Sequence, residues 1–235
     1  ALATVVSIAW FLPKAFAGYR FTWNAKPTLF ASMARYSFKN YLVSFLLQLP
    51  SLAVPVLVIN TSFGATGAGV AYVGSMMAWV VVVIPAAVSR SLLAEASHDA
   101  ENMPHHIRRA IIFSFLLISA PLVILVSIGP MLLGLLFGPV YQQLGSGMLI
   151  WMSVGGIPTV FFATYVSLKR VKHEMRSLTM IAAIVSLASL GLGVMFLNAW
   201  GLEGLAIGML VGQLIGAVWS LPEIMKLMRS TQPHL

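Results

Sequence analysis

Cysteine is absent from this 235-residue chain, and charge is scarce: only 9% of residues are Asp, Glu, Lys or Arg, against roughly a quarter in an ordinary soluble domain. Without cysteine there is no disulfide framework and no thiolate metal site, and nothing is implied about redox compartment. Acid is the scarcer sign, six residues against fourteen basic ones. None of the six lies mid-span, so no carboxylate stands ready for a proton or sodium ion in the membrane. A Walker A run is missing. So is any nucleophile–base pair or carboxylate pair near a membrane face. The chain therefore reads as no enzyme, with no cofactor. What is plentiful is apolar: 59% of residues are hydrophobic, and mean hydropathy is +0.92. A soluble fold could not hide that much, because apolar patches beyond a few hundred Å² are rare on soluble proteins. Scarce charge excludes intrinsic disorder as well. The composition predicts an all-α, polytopic membrane protein.

A bilayer core about 30 Å thick takes roughly 20 apolar residues per helix. Stretches of that kind run over 35–60, 67–92, 109–136, 146–168, 177–198 and 203–225. Residues 1–12 are apolar but only about half a span, and no basic leader precedes them. They read as the end of a preceding helix whose beginning is missing. A cytoplasmic linker is then expected over 13–34, a six-helix lobe over 35–226 and a cytoplasmic tail over 227–235.

Orientation follows from the basic residues. Alternating spans place all fourteen on one side, in clusters at Lys14–Lys39, Arg90–Arg109, Lys169–Arg176 and Lys226–Arg229. The loops near 61–66, 137–145 and 199–203 have none. Five of the six acids share the basic side, leaving Glu203 alone outside. The basic side is expected to be cytoplasmic, with affinity for anionic membrane lipids. Because the charges are dispersed among four loops, they make no nucleic-acid footprint. Trp151 and Trp200 fall near the outer boundary, and Trp10 and Trp219 near the inner one, as an aromatic belt requires. Trp79 is the exception, near mid-span.

The first full span carries a polar stripe. At 100° per residue, Ser37, Asn40, Ser44, Gln48 and Ser51 fall within an arc of about 80°. Such a stripe must face protein or water. It serves either interhelical hydrogen bonds, each worth under about 1 kcal/mol, or the wall of a water-filled cavity. On the next span Tyr72, Ser75 and Trp79 share a face. Pro50, Pro55 and Pro85 each remove a helical donor, and Gly155, Gly156 and Pro158 interrupt the fourth span, so these six are bends or hinges. Gly204, Gly208, Gly212 and Gly216 recur every four residues and let another backbone approach closely. Gln213 beside them reads as an interhelical hydrogen bond. Arg35, Lys39 and Arg90 gather at the inner ends of adjacent helices. They are either snorkelling anchors or a basic mouth for a phosphate head group, which Arg contacts bidentately. His98, Asp99, Glu101, His105 and His106 match no ligand spacing, so no metal is expected.

The stretch RYSFKNYLVSFLLQLPSLAVPVLVINTSFGATGAGVAYVGSMMAWVVVVIPAAVSRSLLAEASHD, residues 35–99, resembles the middle of the polysaccharide-export flippases. These are O-antigen-type oligosaccharide flippases of the superfamily that also holds the MATE exporters. Ile84-Pro85, Ser89 and Leu92–Ser97 carry the likeness most closely. The later LLFGPVYQQLGSGMLIWMSVGGIP, residues 135–158, resembles the family's FG..Y loop and the helix after it. The resemblance extends over most of 28–228. It implies two six-helix lobes in a V around a central cavity, working by alternating access. This chain would be the second lobe, with its partner a missing N-terminal lobe. In the family the lobe's first two helices line the cavity, which favours that reading for Ser37, Asn40, Ser44, Gln48, Ser51, Tyr72 and Ser75. The implied substrate is an oligosaccharide on a polyprenyl-pyrophosphate carrier, flipped in a prokaryotic inner membrane for polysaccharide or lipopolysaccharide synthesis. Cavity cations hold the pyrophosphate in such proteins. The local candidates here, Arg35, Lys39 and Arg90, sit at the mouth instead. Two rivals stand beside this. A MATE-type cation-coupled multidrug exporter would need buried acids, and a non-transporting scaffold of a glycan-assembly complex would need no cavity.

Overall fold

A chain immersed in hydrocarbon has to satisfy its own N–H and C=O groups, and the helix does so within one segment. In a computed structural model of the chain, which describes residues 27–96 and 102–229 except 60 and 62, every element is an α-helix and no strand occurs among the described residues. The helices are α1 (Pro27–Ile59), α2 (Gly64–Ala96), α3 (Met103–Ser127), α4 (Gly129–Phe137), α5 (Pro139–Val154), α6 (Gly156–Val171) and α7 (Met175–Arg229). The helix end expected at 1–12, most of the linker at 13–34 and the tail beyond 229 lie outside the described residues. Residues 27–34, expected as linker, are helical. The chain divides into two units, Ala1–Phe38 and Lys39–Leu235. In the first, the described residues are the start of α1. The second holds the remainder of α1 and every later helix, and the core and the cavity lie within it.

Four of the breaks fall at residues without a side chain or without an N–H, whereas α6 and α7 are parted by Lys172–Glu174, with His173 at φ 57°. The expected span 109–136 is two helices, because Gly129 and Pro130 restart the chain as α4 after Ile128. The loop expected at 137–145 shrinks to Gly138. Its φ of 98° turns the backbone, and Pro139, at the start of α5, needs no donor there. At Gly155, α5 and α6 meet at a bend of 41°, and the pair together is long and apolar enough for one broken span. The 55 residues of α7 break at Trp200 and Gly201. Gly201 has φ 65° and ψ −146°, a region nearly closed to residues with a Cβ. Each resulting arm is long enough to cross a core of about 30 Å. With α1, α2, α3 and the α5–α6 pair, this makes six candidate crossings by length and composition among the described residues.

The two arms of α7 lie antiparallel along the glycine row. A Cβ added at Gly204 would strike the Phe196 carbonyl, at Gly208 the backbone of Leu192 and Gly193, and at Gly212 the Ser189 side chain. At Gly216 it would sit 3.0 Å from the Phe162 ring. Partner numbers fall along one arm as glycine numbers rise along the other. That is the signature of a hairpin whose backbones touch.

Two layers of apolar side chains hold the rest. One joins Val54 and Val58 of α1 to Val70 and Ala71 of α2, Met148 of α5 and Leu197, Leu202 and Leu205 of α7. The other joins Ala78 and Val81 of α2 to Ile118, Leu125, Leu133, Leu149 and Val160. Outside them Leu116, Met131, Leu135 and Leu187 are each more than 60% exposed. Such a surface is untenable in water and ordinary against lipid, where packing rather than water exclusion drives association.

Candidate functional site

Within this lobe α1, α2, α5 and α7 enclose a cavity of ≈ 300 Å³. Tyr72, Ser75 and Trp79 reach it from one face of α2, Ser51 from α1, Trp151 and Gly155 from the bend after α5, and Gln213 from the second arm of α7. Met76, Met152 and Met209 complete a soft, polarisable wall. Tyr72 and Trp79 are 58% and 60% exposed, so their rings are presented rather than packed. Ser75 donates to the Ala71 carbonyl at 2.6 Å and lies 3.5 Å from the Met152 sulfur. Gln213 does not meet the expectation of a hydrogen bond at its carbonyl oxygen: Oε1 is buried without a partner. Among the described residues, no charged side chain lines the cavity.

The polar stripe of α1 is divided by depth. From Asn40 to Ser51 the helix rises about 16 Å, so one face meets different neighbours along its length. Ser51 faces the cavity, whereas Ser44 accepts a hydrogen bond from Arg170 Nη2 at 3.1 Å and donates to the Asn40 carbonyl at 3.0 Å. Gln48 Nε2 donates to the Ser44 carbonyl at 3.3 Å and stays exposed. Asn40 Oδ1 is buried without a partner. Asn40, Ser44 and Gln48 are not among the cavity-lining residues. Ser37 and Arg35 belong to the first unit and are exposed.

Lys39 and Arg90 are exposed too, and Arg90 Nε donates to the Ala86 carbonyl of its own helix at 3.0 Å. Neither reaches the cavity. Among the described residues the buried cation is Lys169, which the sequence places in a basic loop cluster. It is 5% exposed, 2.5 Å from Glu174 and 2.8 Å from Glu223, with Lys172 3.8 Å from Glu223. Its ammonium also lies 5.4 Å from the centre of the Tyr165 ring. The Lys169 hydrogen bond holds the Glu174 carboxyl below the usual carboxylate range, against the opposing effect of partial burial. The pairing ties the end of α6 to the end of α7. Its sequence signal is spare: Glu223 is the last acid of a chain that has six.

The bends are accommodated in different ways. Pro50 is buried and leaves the Leu46 carbonyl without a helical N–H, and the Ser186 hydroxyl of α7 donates to that oxygen. Pro85 is buried and likewise strips the Val81 carbonyl. Gly156 packs there, with Val81 O 3.4 Å from where its Cβ would be. Pro158 is buried in the first turn of α6, where donors are free anyway. Thr159 donates to the Gly155 carbonyl at 2.7 Å, across the bend. Pro55 lies within α1, and its side chain is outside what the structure describes. Of the histidine loop, His98, Asp99 and Glu101 lie outside the described residues. Among the described ones no group of three His, Asp or Glu could hold a metal ion.

No protein-family model matches the chain, and no curated protein matches it in sequence. Solved structures do match. A crystal structure of a MATE protein in complex with MaL6 aligns at a TM-score of 0.72 and 15% identity, over 97% of this chain and 54% of that one. An inward-facing multidrug-resistance MATE transporter of the MOP superfamily aligns at 0.70 and 17% identity, over 99% and 57%. A MOP-superfamily transporter from Pyrococcus furiosus, described as having a binding pocket of reversed polarity, aligns at 0.63 and 16% identity, over 83% and 45%. The chain thus spans about half the length of each. Its six crossings fold as one half of a MATE-type transporter does.

Proposed function

We propose that the chain is one lobe of an alternating-access flippase that translocates a lipid-linked oligosaccharide. The observation that carries this reading is the cavity wall: presented aromatic rings and hydroxyls, with no charge among the described lining residues. A sugar is a neutral polyol with apolar ring faces. Such faces stack on Trp79 and Tyr72, and sugar hydroxyls exchange hydrogen bonds with Ser51 and Ser75. The other lobe supplies the opposite wall and the cations that meet the carrier's pyrophosphate. Lys39 and Arg90 of this lobe draw the head group to the mouth. The 41° break at Gly155–Gly156 and the prolines at 50, 55, 85 and 158 are where the lobe flexes. The membrane is a prokaryotic inner membrane, with the basic end cytoplasmic.

The second reading, a multidrug exporter, is favoured by the methionine-rich wall, which suits lipophilic compounds. One experiment separates them. In cells lacking the intact gene, polyprenyl-linked glycans are assayed for confinement to the cytoplasmic leaflet. Complementation is then tested with wild type and with Trp79→Ala combined with Gln213→Leu. Trapped glycan that wild type releases and the double variant does not supports the flippase. Untrapped glycan with raised sensitivity to cationic dyes supports the exporter. Untrapped glycan with unchanged dye sensitivity leaves the scaffold reading.

A further inference from the structure

The second arm of α7 carries a feature that is independent of what the cavity transports. Val211, Leu214, Ile215, Val218, Trp219 and Pro222 line a shallow apolar groove. Their spacing puts them on one side of the arm, and Leu214, Val218 and Trp219 are among the exposed large side chains. The same side continues past Pro222 to Lys226 and Arg229, one and two turns further on. Both cations are exposed. Lys169 and Lys172 are neutralised by Glu223 and Glu174, but no ion pair engages Lys226 or Arg229 among the described residues. Glu223, which follows Pro222 in the chain, is ion-paired with those two lysines. An apolar channel as long as several helical turns therefore ends in two positive charges that no described residue pairs, with an indole beside the transition.

We propose that this side of α7 is a binding site for an anionic phospholipid of the leaflet at the basic end of the lobe. An acyl chain lies in the groove from Val211 to Pro222, and the phosphate meets Lys226 and Arg229. Trp219 sits at the level where the chain joins the polar head, which is where indoles settle in a bilayer. A zwitterionic lipid would fill the groove equally well and gain less from the two cations.

The test uses the intact protein in nanodiscs, with brominated phosphatidylglycerol or brominated phosphatidylcholine as quencher. The contribution of Trp219 is the difference between wild type and Trp219→Phe. Phosphatidylglycerol is expected to quench that emission at lower mole fraction than phosphatidylcholine. Lys226→Gln and Arg229→Gln each weaken its apparent affinity by about fivefold, whereas Lys226→Arg with Arg229→Lys retains the preference. The lipid comparison on wild type needs no variant to fold. Equal quenching by the two lipids would reduce this side to an ordinary lipid-facing helix and overturn the site. Absence of Trp219 quenching by either lipid would put protein over the groove, a second copy or another part of the intact chain, and overturn it as well.

Discussion

Pro50 shows how one residue sets the chemistry of another 136 positions away in the chain. Its ring removes the N–H that would serve Leu46, and a bare carbonyl in hydrocarbon is costly. The Ser186 hydroxyl fills the gap. Ser186→Ala should therefore lower stability to thermal unfolding in detergent by about 0.5–1.5 kcal/mol. On a Pro50→Ala background, where a backbone N–H returns at position 50, the same change should cost almost nothing. Equal losses on both backgrounds would show that the hydroxyl does not serve that carbonyl. Glu174 makes a second residue-scale prediction. Its folded-state carboxyl titrates below its unfolded value because Lys169 hydrogen-bonds the anion. Stability from this pair is thus present above the unfolded value and lost as pH falls through the lower, folded one. Melting measured across the acid range should fall in wild type, and Glu174→Gln should flatten part of that fall.

Among whole elements, α7 depends most on residues with no side chain. The hairpin seam has no room at Gly208, where a Cβ meets the backbone of Leu192 and Gly193. Backbone cannot rotate aside as a side chain can, so Gly208→Ala should destabilise by about 1–3 kcal/mol. Gly191 lies on the same helix with nothing within 4 Å of its added Cβ, and Gly191→Ala should be neutral or slightly stabilising. Thermal melts of the two variants side by side check this, and similar losses from both would mean that the seam is looser than it looks. The regular four-residue spacing makes the seam visible in the sequence as a close-approach face. Its partner is not visible there. Any of the other helices could meet it, and only the reversal at Gly201, with φ 65°, returns the first arm of the same element.

For the molecule as a whole, the proposed topology rests on alternation: if each crossing reverses the last, the basic residues collect at one end. Because the chain has no cysteine, a single introduced thiol reports its side cleanly. His173→Cys, in the turn between α6 and α7, should label from the cytoplasm with a membrane-impermeant maleimide. Asn198→Cys, at the opposite end of the first arm, should label from outside. Both labelling from one side would break the six-crossing arrangement. The cavity belongs to this scale too, since its wall draws on four helices and exists only once they are assembled.

Composition and hydropathy were enough to determine an all-helical membrane lobe, because hydrocarbon admits few backbone solutions and span length follows from bilayer thickness. Periodicity was enough to mark the glycine seam and to put Tyr72, Ser75 and Trp79 on one face. Depth and partnership were decided by the tertiary structure alone. A helical face runs the length of its helix, so a stripe in sequence cannot say that Ser51 meets a cavity while Ser44 meets Arg170. Trp79 is misplaced for an interfacial belt, and that misfit points to the cavity. Lys169 reads as a surface charge until Glu174 and Glu223 are brought to it from either end of α7, because only the fold decides which charges are shielded from water and paired.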